Sequence, residues 1–336
     1  MFRMRIALVF FALIATDVAQ SSSNCAGTSI GLQPLTDPNF NPYKGYSGGL
    51  YPDGANQRPA AHLAGGLQMA AKVQPLNSQG LPDAVNGKIA LISIGFSNTT
   101  MEFSTFKTLA DPDPAKNPKL TIVDCAVGEM GAGKIINPAT GAQYWTTVEQ
   151  RLQAAGISDA QVQAVWLKEV DPQPTTGFPA YAQTLQSELQ TLLQMLSSSY
   201  PNLRLVYLSS RSYAGYASTL LNPEPYAYES GFTVKWLIEQ QISGNPDLSY
   251  TTGKVPWLSW GPYLWADGLN PRIGDGLTWA CSDFSATDGT HPSLHGGEPK
   301  VAAMLLNFFK TDATTQSWFT NKPATAPQRG LGRRPR

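Results

Sequence analysis

Charged side chains are scarce in this 336-residue sequence, and their signs cancel. Asp, Glu, Lys and Arg make up 14% of the residues, with 24 basic side chains against 24 acidic ones. A chain without net charge has little of the electrostatic attraction that binding to nucleic acid or to an anionic membrane requires. We therefore expect no nucleic-acid partner.

Long hydrophobic runs are also missing, apart from one near the N-terminus. Residues 6–15 are apolar, follow Arg3 and Arg5, and precede small and polar residues. The run is short for a membrane span, and this order is typical of a secretory signal peptide. We predict a signal peptide at residues 1–19, with a membrane-anchoring helix as the alternative. The mature chain is then expected to be secreted or periplasmic, without membrane contact.

Metal-ligating side chains are few. The sequence has three histidines and three cysteines. Only His291 and His295 have a spacing that resembles a ligand pair, and Pro292 lies between them in a predicted turn. Protein metal sites use three or four such ligands, so we expect no metal.

Glycine and proline, in contrast, are abundant, at 30 and 26 residues. They are dense in residues 20–87, where we predict one helix, at 62–73. We interpret this stretch as an N-terminal extension packed on the domain, because it carries apolar anchors at Tyr43, Tyr46, Leu50 and Tyr51. At the other end, residues 321–336 carry Pro, Gly and several Arg and predict a flexible basic tail.

Between these segments, apolar runs alternate with helical patterns. The predicted strands are residues 89–94, 120–124, 162–167, 203–208 and 255–260. The predicted helices are residues 103–110, 145–155, 180–198, 229–242 and 300–310. Alternation of this kind indicates βαβ units. We predict one α/β domain at residues 88–320, a three-layer α/β/α sandwich with a five-stranded, mainly parallel sheet of the flavodoxin-like kind.

The cysteines allow one disulfide in an oxidising compartment. Cys125 and Cys281 are next to loops that we place at the same end of the sheet, so they are the favoured pair. Cys25 is then left over, although sequence alone does not establish the pairing.

Ser97 follows the first predicted strand at a strand-turn-helix junction. Gly95 ends the strand, and Thr99 with Glu102 three residues later predicts the start of a helix. Such a junction holds a hydroxyl at the sheet edge beside free backbone N–H groups, which suits a nucleophile whose product is an oxyanion.

A serine hydroxyl needs a base, and the segment Asp288-Gly-Thr-His291 supplies one. An imidazole can accept the serine proton while a carboxylate holds its other nitrogen. His291 is the only histidine with an aspartate three residues before it. We expect structural or peripheral roles for His62 and His295.

These motifs resemble those of the GDSL or SGNH hydrolase superfamily over residues 88–309. The likeness lies in Ser97 after the first strand, Gly128 after the second, and Asp288 and His291 before the last helix. Tyr-Leu-Ser-Ser-Arg at 207–211 and Trp-Gly-Pro-Tyr-Leu-Trp-Ala-Asp-Gly at 260–268 resemble secreted bacterial proteins of that superfamily.

The resemblance implies an α/β/α fold and hydrolysis of carboxylic esters without a cofactor. It makes Ser97 the nucleophile, His291 the general base and acid, and Asp288 its orienting partner. Backbone N–H groups of Ser97 and Gly128 would form part of the oxyanion hole.

The sequence departs from the superfamily pattern after the third strand. The usual Gly-x-Asn-Asp is replaced by Trp-Leu-Lys168-Glu169, so the asparagine that donates to the oxyanion is missing. Lys168 either replaces that donor or forms an ion pair with an acid such as Glu169 or Glu102.

Substrate contacts are less well defined by the sequence. Arg211, Trp260 and Tyr263 are candidates for substrate binding, and the alternative is that they brace and pack the long loops.

The sequence is compatible with two functions from different classes. The first is a secreted serine esterase acting on a small-molecule or carbohydrate ester, such as an acetylated sugar, through an acyl-enzyme. The second is a carbohydrate-binding protein of the same fold with weak or no catalysis, which the altered third motif favours.

Overall fold

The structure is a computed structural model that describes residues 22–321, and its centre is a five-stranded sheet. The strands are β1 (Ile89–Gly95), β2 (Leu120–Val123), β3 (Val162–Lys168), β4 (Leu205–Leu208) and β5 (Trp257–Trp260). The predicted signal peptide and all but the first residue of the predicted basic tail lie outside the described residues.

The strands are arranged in the order β2-β1-β3-β4-β5, and every neighbouring pair is parallel. This confirms the predicted α/β fold with a flavodoxin-like sheet. The chain leaves β1 toward β2 and then returns to the other side of β1 as β3. Ligands of such sheets bind at this point of reversal, beyond the carboxyl ends of the strands.

Helices pack on the sheet in two groups. The described residues contain eight α-helices: α1 (Ala60–Ala70), α2 (Ser97–Ala110), α3 (Ala132–Ile136), α4 (Pro138–Ala154), α5 (Ala180–Ser199), α6 (Tyr226–Ile242), α7 (Gly297–Thr311) and α8 (Gln316–Phe319). Helix α2 packs against α7, whereas α3 contacts both α4 and α5, and α5 contacts α6. Every residue of β1 and β3 is buried, because helices cover both faces. Within residues 22–321 no helix is both long and apolar enough to cross a bilayer.

The N-terminal segment covers β5, which is an edge strand. Tyr51 Oη lies 2.9 Å from Ser259 Oγ, and the Trp260 indole N–H donates to the Leu50 carbonyl oxygen at 2.7 Å. An uncovered edge strand would offer unpaired backbone groups to other chains. On this edge the Leu258 N–H donates to Gln241 Oε1 at 2.8 Å, and the Leu258 carbonyl oxygen lies 2.7 Å from His62 Nε2, so side chains occupy these backbone groups.

The disulfide differs from the predicted one. Cys25 and Cys281 are bonded, with a Cα–Cα distance of 5.3 Å, and Cys125 is a buried free thiol. The predicted Cys125–Cys281 pair is wrong because Cys125 follows β2 and Cys281 follows β5, and these strands form opposite edges of the sheet.

Candidate active site

Ser97 is the first residue of α2 and stands directly beyond the end of β1. The turn before it requires glycine at position 95, since a Cβ there would lie 2.2 Å from the Lys168 carbonyl oxygen. Thr99 Oγ1 donates to the same carbonyl oxygen at 2.6 Å. The start of α2 is therefore fixed to the end of β3.

The predicted capping box of Thr99 and Glu102 does not form. Helix α2 begins two residues before Thr99, and its N-cap residue is Phe96, whose side chain cannot cap. Both side chains instead bind Lys168, Thr99 through the carbonyl oxygen and Glu102 through Nζ. The helix predicted at residues 103–110 is present, but it begins six residues earlier, at Ser97.

Asp288 and His291 meet in a tight turn before α7. Asp288 Oδ1 accepts the backbone N–H groups of Thr290 at 2.7 Å and of His291 at 2.9 Å. Gly289 permits the turn, with φ of +63° and no space for a Cβ, which would lie 1.9 Å from the Tyr216 carbonyl oxygen. Burial would raise the pKa of Asp288, but the hydrogen bonds from His291 and Thr290 outweigh it and lower that pKa. Asp288 is therefore held as a carboxylate.

His291 bridges Asp288 and Ser97. Its Nδ1 lies 2.8 Å from Asp288 Oδ2, and its Nε2 lies 2.8 Å from Ser97 Oγ. Because the carboxylate only accepts hydrogen bonds, Nδ1 carries the proton and Nε2 is free to accept one from Ser97. The three predicted catalytic side chains thus form one continuous hydrogen-bonded chain.

Asn98 connects the helix that carries Ser97 to the loop that carries His291. This role was not predicted from the sequence. Its side chain is fully buried, and Nδ2 donates to the Thr290 carbonyl oxygen at 2.8 Å. The bond joins the first turn of α2 to the loop that carries His291. A polar residue directly after the nucleophile was the signal available in the sequence.

Gly128 lies beside Ser97, as the oxyanion-hole prediction requires. A Cβ built on Gly128 would be 3.7 Å from Ser97 Cβ. Among the described residues, neither the Ser97 N–H nor the Gly128 N–H has an acceptor. Two backbone donors are therefore available next to the hydroxyl.

Lys168 is not at the site. Its Nζ lies 2.6 Å from Oε1 and 2.5 Å from Oε2 of Glu102, and both side chains are 1% exposed. Burial lowers the pKa of Lys168 to about 8, against the opposing charge of Glu102, and burial likewise raises the pKa of Glu102. The oxyanion role predicted for Lys168 is contradicted by this pairing, and the ion-pair alternative is the one observed.

A pocket of ≈ 390 Å³ opens over Ser97. Its lining is mainly apolar and includes Phe96, Gly131, Pro172 and Leu221, together with Ser97 and His291. This volume lies within the usual range for small-molecule sites.

The three predicted substrate-binding residues do not line this pocket. Trp260 is 2% exposed and donates to the N-terminal segment, and Tyr263 Oη accepts the Leu35 N–H at 3.1 Å. Arg211 is fully buried, with its guanidinium carbon 5.2 Å from the Phe96 ring centroid. Trp260 and Tyr263 thus follow the packing alternative, whereas Arg211 lies behind Phe96, outside the lining of the pocket.

The other two histidines take no part in the hydrogen-bonded chain. His62 is buried, stacks on Trp257 at 4.8 Å and has Nε2 2.7 Å from the Leu258 carbonyl oxygen. Burial lowers the pKa of His62 to about 4. His295 is exposed. Within residues 22–321, no three His, Cys, Asp or Glu side chains are grouped as metal ligands.

Comparison with known proteins gives distant structural similarity only. No protein-family model matches this sequence, and no curated protein matches it significantly. Among solved structures, the protein YXIM of Bacillus subtilis aligns with 68% of this chain at 10% identity and a TM-score of 0.36. The chain spans 58% of the length of that protein.

Two other solved structures carry descriptive names. The lipase Lip_vut3 from a goat rumen metagenome has 12% identity and a TM-score of 0.36, over 65% of this chain and 96% of that one. The lipopolysaccharide acetyltransferase periplasmic domain of Salmonella ser. Paratyphi A has 14% identity and a TM-score of 0.35, over 74% and 94%. Similarity this low carries no information about activity. The candidate active site is therefore inferred only from the geometry of its side chains.

Proposed function

We propose that this chain is a serine hydrolase of the GDSL or SGNH kind that cleaves carboxylic esters. The observation that supports it is the position of His291, within 2.8 Å of both the Ser97 hydroxyl and the Asp288 carboxylate. A serine hydroxyl is a weak nucleophile until a base removes its proton, and this geometry supplies the base.

The reaction follows from these positions. His291 Nε2 takes the proton as Ser97 Oγ bonds to the ester carbonyl carbon, and Asp288 stabilises the imidazolium. The carbonyl oxygen becomes an oxyanion beside the N–H groups of Ser97 and Gly128. His291 then protonates the leaving alcohol, and an acyl-enzyme remains. Water, deprotonated by His291, attacks the acyl carbon and releases the acid and Ser97.

The pocket supports an ester with a small or medium acyl group. Its apolar walls suit the hydrocarbon part of an acyl chain, and its open side leaves room for the alcohol. An acetylated carbohydrate is our preferred substrate class. The disulfide Cys25–Cys281 supports a secreted or periplasmic location, because such bonds persist in oxidising compartments.

Ester hydrolysis by the mature chain tests the proposal. The panel contains p-nitrophenyl acetate, butyrate and octanoate together with acetylated xylo-oligosaccharides. We expect turnover of at least one ester and its loss in Ser97→Ala. Ser198→Ala, an exposed serine on α5, is the matched control and should retain wild-type turnover. Equal rates in wild type and Ser97→Ala would refute the hydrolase.

One observation favours the alternative, a carbohydrate-binding protein with weak catalysis. Lys168, the one cation predicted to replace the missing asparagine, is engaged by Glu102. Loss of one oxyanion donor typically lowers kcat by about 10²–10³-fold. If wild type and Ser97→Ala are equally inert on every ester but bind oligosaccharides, the alternative is correct.

A further inference from the structure

A second depression lies on the helical layer and shares no lining residue with the pocket over Ser97. Its volume is ≈ 580 Å³, and helices α5 and α6 form it together with the N-terminal segment. The residues that matter for its chemistry are Tyr46, Asp53, Gln186, Trp236 and Glu239. It is broad and open, unlike the catalytic pocket.

Trp236 differs from every other tryptophan of the chain. The other seven donate their indole N–H groups to protein acceptors. Trp236 is partly exposed, and its N–H has no acceptor among residues 22–321. A tryptophan with a free N–H at a surface depression presents both an apolar face and a hydrogen-bond donor to a ligand.

Three other aromatic rings pack around the Trp236 ring. Its centroid lies 5.1 Å from that of Tyr46, 5.6 Å from that of Phe178 and 5.7 Å from that of Phe232. Packing on these sides restricts the ring before any ligand arrives. Binding to a fixed ring costs little side-chain entropy.

Gln186 adds a second unpaired donor in the same wall. The residue is 9% exposed, and its Nε2 is buried without an acceptor. Buried amides are nearly always hydrogen-bonded, because an unpaired one loses its water contacts without replacement. A ligand oxygen in the depression would satisfy this amide after a small rotation of the side chain.

The acceptors in the depression are carboxylates. Asp53 has φ of +60°, and its side chain makes no hydrogen bond or ion pair within the described part of the chain. Glu239 lies 3.7 Å from Lys235 Nζ, and Lys235 also donates to the Ser47 carbonyl oxygen at 2.6 Å. The depression therefore offers one free carboxylate, that of Asp53, together with free donors, and its acidic groups disfavour an anionic ligand.

A ligand that matches these groups has hydroxyls that both donate and accept, and a flat C–H face for an aromatic ring. Sugar rings have both. We propose that this depression binds a neutral oligosaccharide independently of Ser97. Such a site would hold the protein on a polysaccharide while the catalytic pocket acts on ester groups.

Titration calorimetry tests the proposal with the full mature chain and neutral hexaoses of glucose, xylose, mannose and galactose. We expect at least one hexaose to bind, and Trp236→Ala and Gln186→Leu each to weaken binding at least tenfold. Trp145→Ala is the matched control, since Trp145 is partly exposed but donates its N–H to the Ile135 carbonyl oxygen. This control should bind like wild type.

Two further variants separate this site from the catalytic one and test its charge. Ser97→Ala should bind the hexaose unchanged, and Trp236→Ala should hydrolyse small soluble esters like wild type. Asp53→Gly, which keeps the left-handed backbone favourable, should weaken binding without loss of thermal stability. The proposal is overturned if no hexaose binds, if Trp236→Ala and Gln186→Leu bind like wild type, or if oligogalacturonate binds more tightly than every neutral hexaose.

Discussion

Replacing Lys168 with methionine separates the two roles that a lysine at the end of β3 can have. The structure buries Lys168 and Glu102 together, with Nζ against both carboxylate oxygens. Lys168→Met keeps the aliphatic volume of the side chain and removes only the charge. The buried carboxylate of Glu102 then loses its hydrogen-bonded partner, and only the more distant charge of Arg211 still favours its ionised form.

We expect Lys168→Met to lower the free energy of unfolding substantially. Removing one member of a buried ion pair typically destabilises a protein by about 3–5 kcal/mol, a substantial part of the ~5–15 kcal/mol that holds most domains folded. Lys168→Met with Glu102→Gln should recover most of this loss, because neither member of the pair is then left charged without the other. Urea denaturation of the wild type, both single variants and the double variant gives the coupling free energy directly.

The second measurement is the ester turnover of Lys168→Met. Since Lys168 is engaged by Glu102 and does not line the pocket, kcat per folded molecule should change by less than about threefold, far below the 10²–10³-fold expected for an oxyanion donor. Rates are measured with p-nitrophenyl butyrate below the urea transition and divided by the acyl-enzyme burst. A Lys168→Met variant as stable as wild type but with kcat about a hundredfold lower would refute our account of this residue.

Three further predictions concern positioning, pH and the disulfide. Asn98→Ala should lower kcat by about 10–100-fold with little change in KM, because the loop bearing His291 loses its bond to α2; an unchanged kcat in steady-state assays would contradict this. Burial lowers the pKa of His62 from 6.5 to about 4, so the unfolded chain takes up the proton first as pH falls; His62 alone should lower stability by about 3 kcal/mol between these two pH values, and in urea titrations at pH 7, 5 and 4 the drop should be smaller by that amount in His62→Gln. Cys25→Ser should destabilise by about 2–5 kcal/mol in the same titration, whereas Cys125→Ser should leave the disulfide intact in non-reducing peptide maps; a Cys125–Cys281 peptide would contradict the structure.

The sheet was predictable because its strands are buried on both faces. Such strands appear in the sequence as short, continuous apolar runs, and the five predicted runs coincide with β1–β5 to within two residues at each end. The hydrogen-bonded chain of Ser97, His291 and Asp288 was also predictable, because strand ends and tight turns bring these side chains to one edge of the sheet. These positions depend on topology more than on detailed packing.

Side-chain direction at the strand ends was not predictable in the same way. Lys168 stands two residues after Trp166, so both point to the same face, and Trp166 stacks on Phe103 of α2 at 5.6 Å. That alternation directs Lys168 to Glu102, on α2, and away from the pocket. The sequence contains the alternation but does not reveal which helix covers that face.

The cysteine pairing failed for a related reason. Strand order decides which loops are neighbours, and local patterns do not reveal that β2 and β5 are opposite edges. The same holds for Trp260 and Tyr263, whose partners belong to the N-terminal segment, far away in the sequence.

Labelling by a fluorophosphonate probe is the most direct test of the central claim, that His291 and Asp288 make Ser97 nucleophilic. We expect one equivalent of probe per chain, located on Ser97 by peptide mass spectrometry. Ser97→Ala and His291→Ala should not be labelled, and Ser198→Ala should be labelled like wild type. Absence of labelling in the folded wild-type protein, or labelling of Ser97 at an equal rate in His291→Ala, would contradict the claim.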